Sequence, residues 1–324
     1  MVKAIRIHRT GGPEVMALEN VDLPPPGDGQ VRIRHSAIGV NFIDTYHRSG
    51  LYKLPLPAGI GSEAAGIVEA LGPNTGDRLK PGDRVAYAMV PGSYAEAANV
   101  TAWRVVKVPA GISDEVAAAS LLKGLTAQYL LKRLYTVKPG QTILVHAAAG
   151  ATGQILCQWA NHLGVTVIGT AGSPEKMALA RSNGCHHVFN TRTDAIAKSV
   201  RELTGGIGVP VVYDGVGKET FEASLDSLQV RGLMVCYGNA SGPVPPLDIH
   251  TLTHKGSLFL TRPTLASYSR TTEEIVDAAT DLFSVIQSGA VKIAINQRFA
   301  LDQARAAHEA LHARATTGAT VLIP

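Results

Sequence analysis

Residues 146–154 have the sequence HAAAGATGQ, and the segments on either side of them indicate the fold. The preceding run, TILV at 142–145, is short and apolar, as expected for a buried strand. The segment that follows repeats apolar residues at helical spacing and ends at Gly164, a common helix terminator; these residues are Ile155, Leu156, Trp159, Ala160 and Leu163. A strand, a glycine loop and a helix in this order are the context expected of a dinucleotide-binding fingerprint.

The loop departs from the usual G-x-G-x-x-G pattern at its first glycine, which is Ala148 here. Alanine is tolerated at this turn if its φ angle stays negative. Gly150 allows the backbone to approach a pyrophosphate, and Gly153 allows the helix to pack closely on the strand. We therefore predict that Gly150, Ala151, Thr152 and Gly153 contact a dinucleotide whose phosphates lie at the helix N-terminus.

Strands and helices alternate through the middle of the chain. Six strand-like runs, most of them followed by a helical segment, are TILVHAA, VTVIGTA, HHVFN, VPVVYDGVG, LMVCYGN and SLFLTRP. This alternation predicts an α/β domain with a doubly wound parallel sheet over residues 123–264.

The two ends of the chain differ from the middle. Residues 1–122 consist of short strand-like runs broken by Pro, Gly and Asp, which predicts a β-rich domain. The tail, residues 265–324, adds two helical segments and a last strand-like run, GATVLIP. We expect this tail to return to the first domain and complete it.

Composition argues against several classes of function. Charged residues make up 17% of the chain, the net charge is +4, and Lys and Arg form no long run, so nucleic-acid binding is not predicted. No apolar stretch is long enough to span a membrane. The three cysteines, Cys157, Cys185 and Cys236, fit neither a disulfide framework nor a zinc motif. These features predict a soluble, cytoplasmic protein.

The end of the second strand of the sheet bears on the choice of cofactor. An NAD fingerprint places Asp or Glu there, but the sequence GTAGSPEK at 169–176 has Gly172 and Ser173 in that place. Ser173 is predicted to cap the next helix, with Pro174 in its first turn and Lys176 close behind. This arrangement suits a 2′-phosphate and predicts NADPH. Alternatively, these residues only begin a surface helix, and Glu175 serves NAD.

Longer motifs along the whole chain resemble one family. They are NFIDTYHRSGLY (41–52), GSEAAGIVE (61–69), KGLTAQYLL (123–131), VHAAAGATGQ (145–154), VYDGVG (212–217), RGLMVCYGN (231–239), KGSLFLTRPTL (255–265) and ATTGATVLIP (315–324). They are similar to the quinone oxidoreductase, or ζ-crystallin-like, branch of the medium-chain dehydrogenase/reductase family. The resemblance implies a GroES-like substrate domain, a Rossmann domain that binds NADPH, a quinone as the substrate and a homodimer.

Two positions depart from that branch. Ala151 and Thr152 replace the usual Gly-Val of the loop, and Thr191 stands where relatives often have a tyrosine near the adenosine phosphate. The second departure leaves Lys176 and Arg192 to bind the phosphate.

The resemblance also implies chemistry without zinc. Alcohol dehydrogenases of the wider family bind a catalytic zinc through residues whose places are taken here by Asn41 and Ser62. Without a metal to polarise the acceptor, hydride transfer is practical mainly to electron-poor acceptors such as quinones or conjugated enals and enones. The HEALH sequence at 308–312 matches a zinc-protease motif, but no third ligand follows it, so no metal site is predicted.

The family places the segment around NFIDTY beneath the nicotinamide. Tyr46 and Tyr52 are the candidate proton donors, although a hydroquinone anion can also take its proton from water. A capped turn with core aromatic residues is the alternative interpretation of Asp44 and Tyr46. By resemblance, the remaining predicted cofactor contacts are Asn41, Phe42, Ile43, Asp44, Thr45, Tyr46, Tyr129, Gly172, Ser173, Val216, Tyr237, Gly238, Asn239, Ala240, Pro263, Thr264, Leu265 and Arg314.

Taken together, these features predict a zinc-independent NADPH:quinone oxidoreductase. The nearest alternative is an NADPH-dependent alkenal or enone double-bond reductase. An alternative of another class is a non-catalytic protein that binds NADPH, either crystallin-like or a binder of A/U-rich RNA.

Overall fold

The computed structural model describes residues 1–324, which form two compact units. Unit 1 contains residues 1–125, 269–287 and 293–324, and unit 2 contains residues 126–268 and 288–292. No helix in either unit is both long and apolar enough to span a membrane.

Unit 1 contains a seven-stranded sheet and a small three-stranded sheet. The strands are β1 (Val2–Ile7), β2 (Met16–Val21), β3 (Gln30–Val40), β4 (Ala58–Gly59), β5 (Glu63–Leu71), β6 (Arg84–Ala88), β7 (Ala97–Thr101), β8 (Val105–Lys107), β15 (Ile295–Ala300) and β16 (Ala319–Ile323). The helices are α1 (Phe42–Ser49), α2 (Asp114–Gln128), α8 (Thr272–Gln287) and α9 (Ala304–His312). The predicted domain boundary after residue 122 lies inside α2.

The long strand β3 organises the larger sheet of unit 1. It pairs antiparallel with β5, β7 and β16, so the last strand of the chain lies beside one of the first. The pairs Val40 with Thr320 and Gly39 with Glu63 fix the register at the end of β3. Because α1 begins just after β3, this register also fixes where α1 starts.

Unit 2 is a parallel sheet flanked by helices. Its strands are β9 (Thr142–Val145), β10 (Thr166–Ala171), β11 (His187–Asn190), β12 (Val209–Asp214), β13 (Leu228–Cys236) and β14 (Phe259–Thr261). Its helices are α3 (Ala151–His162), α4 (Pro174–Ser182), α5 (Ile196–Leu203), α6 (Phe221–Ser227) and α7 (His250–His254), preceded by a π-helical turn over Tyr129–Leu134.

The sheet of unit 2 has the strand order β11-β10-β9-β12-β13-β14, and every pairing is parallel. The predicted doubly wound fold is therefore confirmed. The order reverses between β9 and β12, and ligands of such sheets bind outside the carboxyl ends of the strands at this reversal.

Candidate active site

The glycine loop of unit 2 connects β9 to α3. Gly150 is the N-cap of α3 and has no side chain to cap it, so the first N–H groups of the helix are available to an anion. A Cβ on Gly153 would lie 2.3 Å from the carbonyl oxygen of Ala147, which explains the glycine. Ala147 adopts the left-handed conformation with a φ of 51°, whereas Ala148 keeps a negative φ. Alanine is therefore accommodated at position 148 without strain.

The second strand of the sheet ends beside another helix start. Ser173 is the N-cap of α4, and its Oγ accepts a hydrogen bond from the backbone N–H of Lys176 at 3.3 Å, so the predicted cap is confirmed. A Cβ on Gly172 would lie 3.7 Å from Thr191 Oγ1 and 3.9 Å from Arg192 Nε. The ends of β10 and β11 thus bring together the residues predicted to bind the adenosine phosphate.

Glu175 lies at the same helix start. A hydrogen bond with Ser173 lowers the pKa of its carboxyl. A carboxylate beside Ser173 favours the ribose hydroxyls of NAD, whereas the cations of Lys176 and Arg192 favour a phosphate. Both alternatives predicted from the sequence are therefore present in the local geometry.

A buried network behind these loops centres on a carboxylate that the sequence analysis did not single out. Asp214, the last residue of β12, has no exposed surface. Its Oδ1 accepts backbone N–H groups of Val216 at 2.7 Å and Gly217 at 3.0 Å. Its Oδ2 accepts the hydroxyl groups of Thr220 at 2.7 Å and Ser224 at 2.9 Å. Asp214 thereby fixes the turn that carries the predicted contact Val216.

His146 extends this network to the neighbouring strands. Its Nε2 lies 3.0 Å from Ser224 Oγ, and its Nδ1 lies 2.9 Å from Thr170 Oγ1. Because Ser224 donates its only proton to Asp214, His146 donates from Nε2 and accepts at Nδ1. Burial lowers the pKa of His146, which stays neutral. Side-chain hydrogen bonds therefore join the carboxyl ends of β9, β10 and β12 under the glycine loop.

The turn after β13 packs backbone against backbone on the turn after β12. A Cβ on Gly238 would lie 2.4 Å from the carbonyl oxygen of Gly215. The N–H of Ala240 donates to that same oxygen at 3.2 Å. The predicted contacts at residues 237–240 therefore lie beside the Val216 turn.

The other predicted residues of unit 2 differ in exposure. Tyr129 begins the π-helical turn, is buried, and stacks on Tyr268 with ring centroids 4.4 Å apart. Pro263 and Leu265 are buried, and Thr264 is exposed. Their contacts with a cofactor stay predictions.

In unit 1, most predicted residues lie on or next to α1. Asn41 is the N-cap, and its backbone N–H donates to Asp44 Oδ2 at 2.8 Å within a capping box. The rings of Phe42, Tyr46 and Tyr52 are partly exposed. Their centroids are 6.5 Å apart between Phe42 and Tyr46, and 5.3 Å apart between Tyr46 and Tyr52. The planes of neighbouring rings are inclined at 39° and 69°. These three rings, named the aromatic row below, offer apolar faces and edges to a ligand.

The Asp44 carboxylate points into the interior of unit 1 and has no exposed surface. Its Oδ1 accepts the hydroxyl of Ser62 at 2.6 Å, and its Oδ2 accepts the hydroxyl of Tyr94 at 3.0 Å. Burial raises the pKa of Asp44 to about 6 despite these hydrogen bonds. This geometry favours the capped-turn interpretation of Asp44, and its contact with a cofactor stays a prediction.

Three other predicted residues of unit 1 differ in how far they are buried. Thr45 is buried, and its hydroxyl donates to the carbonyl oxygen of Phe42 at 2.7 Å, whereas Ile43 is partly exposed. Arg314 follows α9, is exposed and has a φ of 55°. Their cofactor contacts also stay predictions.

A chain of buried polar groups continues from Asp44 to α9. Tyr94 Oη lies 3.0 Å from His308 Nε2, and Arg48 Nη1 donates to His308 Nδ1 at 2.9 Å. Arg48 Nη2 also lies 3.4 Å from His312 Nε2. Burial and the charge of Arg48 lower the pKa of His308 to about 3. The two histidines of HEALH therefore bind a guanidinium, whose charge repels a metal ion.

Comparison with known proteins agrees with this architecture. The family model of the alcohol dehydrogenase GroES-like domain matches residues 27–110, and that of the zinc-binding dehydrogenase matches residues 151–283. The quinone oxidoreductase of Pseudomonas aeruginosa is 52% identical over 326 residues, which cover 100% of both chains. The chain belongs to the quinone oxidoreductase branch of the medium-chain dehydrogenase/reductase family.

Two further members of this family are informative. A 2-haloacrylate reductase from a Burkholderia species is 45% identical over 100% of this chain and 99% of its own. The crystal structure of Escherichia coli quinone oxidoreductase complexed with NADPH matches with a TM-score of 0.97 and 47% identity, covering 99% of this chain and 100% of that chain.

The residues at the family's zinc position do not fit a zinc ion. The Nδ2 of Asn41 donates to Glu63 Oε1 at 2.8 Å, and the hydroxyl of Ser62 donates to Asp44. The ammonium of Lys123 also binds Glu63. Asn41, Ser62 and Lys123 donate hydrogen bonds or carry positive charge, whereas zinc requires thiolate, imidazole or carboxylate ligands. The two carboxylates present, Glu63 and Asp44, already accept hydrogen bonds from these donors. No cluster of three or more His, Cys, Asp or Glu residues in the chain could hold a metal ion.

Replacement of Asp44 by Asn should change how stability depends on pH. The folded-state pKa of about 6 lies above the ordinary value of 3.8, so the folded protein binds this proton more tightly than the unfolded chain does. The resulting stabilisation is complete below the ordinary pKa and is lost as the pH rises through the folded-state pKa, at a cost of up to about 3 kcal/mol. The Asp44→Asn variant should lack this loss.

Urea unfolding of the wild type and of Asp44→Asn between about pH 4 and pH 7 measures the effect. The control is Asp302→Asn, which neutralises an exposed carboxylate of the same unit. If the free energies of unfolding of the wild type and of Asp44→Asn differ by the same amount at every pH in this range, the raised pKa of Asp44 is contradicted.

Proposed function

We propose that the chain is an NADPH-dependent quinone oxidoreductase that needs no metal ion. Two observations together support this proposal. The chain is 52% and 47% identical, over nearly its whole length, to two quinone oxidoreductases, and β10, the second strand of the Rossmann fingerprint, ends without a carboxylate. A carboxylate at that place is the feature that selects NAD.

Residues of unit 2 hold the cofactor in this proposal. The loop from Gly150 to Gly153 receives the pyrophosphate, and Lys176 and Arg192 receive the 2′-phosphate as charge-assisted donors. The further proposed contacts, from both units, are Asn41, Phe42, Ile43, Asp44, Thr45, Tyr46, Tyr129, Gly172, Ser173, Thr191, Val216, Tyr237, Gly238, Asn239, Ala240, Pro263, Thr264, Leu265 and Arg314.

Residues of unit 1 bind the acceptor in this proposal. NADPH supplies a hydride to it. The aromatic row stacks on the flat ring of a quinone, and the hydroxyls of Tyr46 and Tyr52 are the candidate proton donors. Because Asn41 uses Nδ2 to bind Glu63 at 2.8 Å, its Oδ1 is the atom that accepts hydrogen bonds from the cofactor.

A panel of quinones assayed for NADPH oxidation tests the function. We expect turnover that a metal chelator does not reduce, because no metal takes part. Loss of activity on chelation would contradict the zinc-independent mechanism. Binding of NADPH without oxidation by any acceptor would favour a non-catalytic role.

A double-bond reductase is the second candidate, and the 45% identity to a 2-haloacrylate reductase favours it. The same assay with enones, enals and 2-haloacrylates separates the two activities. We expect kcat/KM for quinones to exceed that for these acceptors by about tenfold or more, which is about 1.4 kcal/mol of transition-state stabilisation. The reverse order would assign the chain to the second class.

The Lys176→Glu variant tests the choice of cofactor. Reversal of the charge should weaken NADPH binding about tenfold or more beyond any effect on NADH, because only NADPH carries the 2′-phosphate. Fluorescence titration with both cofactors measures the two dissociation constants. Lys198→Glu, an exposed lysine on α5, is the control. Equal weakening of both cofactors would refute the assignment to Lys176.

A homodimer formed through the edge of the parallel sheet also belongs to the proposal. The strand β14 is an edge strand whose Phe259 is 61% exposed, and Val230 of the adjacent strand β13 is 67% exposed. Such an open apolar edge suits pairing with a second copy of the same strand. A cytoplasmic location is proposed as well, and the three free, buried thiols fit a reducing compartment.

Sedimentation velocity tests the dimer. Phe259→Arg should shift the protein from dimer to monomer, because it places a charge in the paired edge. Ile207→Arg, a substitution at a 65% exposed residue of the same unit, should not. A wild-type monomer at micromolar concentration would contradict the proposal.

A further inference from the structure

A buried ion pair lies beside the N-cap of α1. The ammonium of Lys123 donates a hydrogen bond to Glu63 Oε1, and the two side chains are only 4% and 0% exposed. The same oxygen accepts Nδ2 of Asn41 at 2.8 Å, and Oε2 accepts the backbone N–H of Leu122 at 2.7 Å. Both oxygens of this carboxylate are therefore hydrogen-bonded.

Close backbone packing brings the two charges together. Glu63 begins β5 opposite Gly39 of β3. A Cβ on Gly39 would lie 2.3 Å from Glu63 Oε1 and 2.2 Å from the carbonyl oxygen of Ala118 in α2. Glycine at this position lets α2 approach β3, so that Lys123 reaches the carboxylate.

The ammonium has more donors than the protein uses. An ammonium carries three N–H groups, and Glu63 Oε1 is the one acceptor that the structure gives Lys123. An unpaired donor in a buried place costs free energy, so buried charges usually engage all of their donors. The two remaining N–H groups suit an oxygen atom of a ligand.

We propose that Lys123 binds the carbonyl oxygen of the acceptor and stabilises the negative charge that develops on it. The inference rests on the proposed quinone reduction. When the acceptor receives the hydride, the electron pair collects on its oxygen as a hydroquinone anion, which then takes a proton from Tyr46 or Tyr52, or from water on release. Metal ions stabilise this kind of charge in zinc enzymes. Here an ammonium next to Asn41 provides the positive charge in a water-poor environment.

The effect of removing Lys123 distinguishes a purely structural ion pair from a group that binds the acceptor. Removal of a structural lysine would reduce the amount of folded protein and leave the chemistry of the folded fraction unchanged. Removal of an oxyanion-binding group should lower kcat for quinones by about 10²–10³. The dissociation constant for NADPH should change much less than kcat does, because the proposed phosphate-binding residues lie in unit 2.

The direct test uses para-nitrophenol, whose coloured anion resembles the reduced acceptor, bound to the complex with NADP⁺. A pH titration of its absorbance gives the pKa of the bound phenol. In the wild type we expect this pKa to fall by about 1–3 units, the effect of an opposite charge within hydrogen-bonding distance. Lys123→Met should abolish the shift, Lys123→Arg should retain part of it, and Lys80→Met, at an exposed lysine, should not alter it.

A second variant covers the case in which Lys123→Met leaves Glu63 unpaired and does not fold. The double variant Glu63→Gln with Lys123→Met removes both charges and keeps an acceptor for Asn41, so it should fold, bind NADPH and lack the shift. Glu63→Gln alone keeps the ammonium and should lower the pKa of the bound phenol further.

Several outcomes overturn the proposal. One is a lowered pKa of the bound phenol that persists in Lys123→Met or in the double variant. Another is a pKa of the bound phenol in Glu63→Gln that equals the wild-type value. A wild-type complex that binds the phenol without a shift, or does not bind it, also overturns the proposal. Failure of the proposed function is a separate result, in which wild-type protein oxidises no NADPH with any quinone.

Discussion

The carboxylate of Glu63 is the buried charge on which the end of β3 depends. It gathers donors from Asn41, from the backbone of Leu122 and from Lys123, so one group joins a strand, a helix start and a second helix. Because Asn41 is also the N-cap of α1, the position of the aromatic row follows from this charge. Removal of one partner from such a cluster is costly, since a buried charge is left uncompensated.

Two other carboxylates are buried without a cation in direct contact, and each is stabilised in its own way. Asp214 accepts two backbone N–H groups and two hydroxyls, all within unit 2. Asp44 accepts one N–H and two hydroxyls and is linked through Tyr94 and His308 to the guanidinium of Arg48. The hydrogen bonds in this chain have one consistent direction, from Arg48 towards Asp44, because each group donates to the next. In both cases a carboxylate sets the conformation of a segment that carries predicted ligand contacts.

The sequence was sufficient for local features and insufficient for these networks. Hydrophobic periodicity predicted the parallel sheet, and the turn chemistry predicted Gly153 and the Ser173 cap, because both depend on residues close together in the chain. The partners of His308 are Arg48 and Tyr94, which are 260 and 214 positions away, and no local pattern encodes such a pairing. The role of Lys123 was missed for the same reason. No local pattern in the sequence marks the end of the first domain, since α2 continues past residue 122 as far as Gln128.

The pairing of β16 with β3 has a consequence for synthesis of the chain. Unit 1 obtains an interior strand of its larger sheet from residues 319–323 and the buried His308 from α9. Nearly all of unit 2, by contrast, lies within residues 126–268. During translation, unit 2 can therefore acquire its complete set of strands before residues 319–323 of unit 1 have left the ribosome. Although domains generally fold from the N-terminus during synthesis, the larger sheet of unit 1 cannot be completed until residues 319–323 have been synthesised.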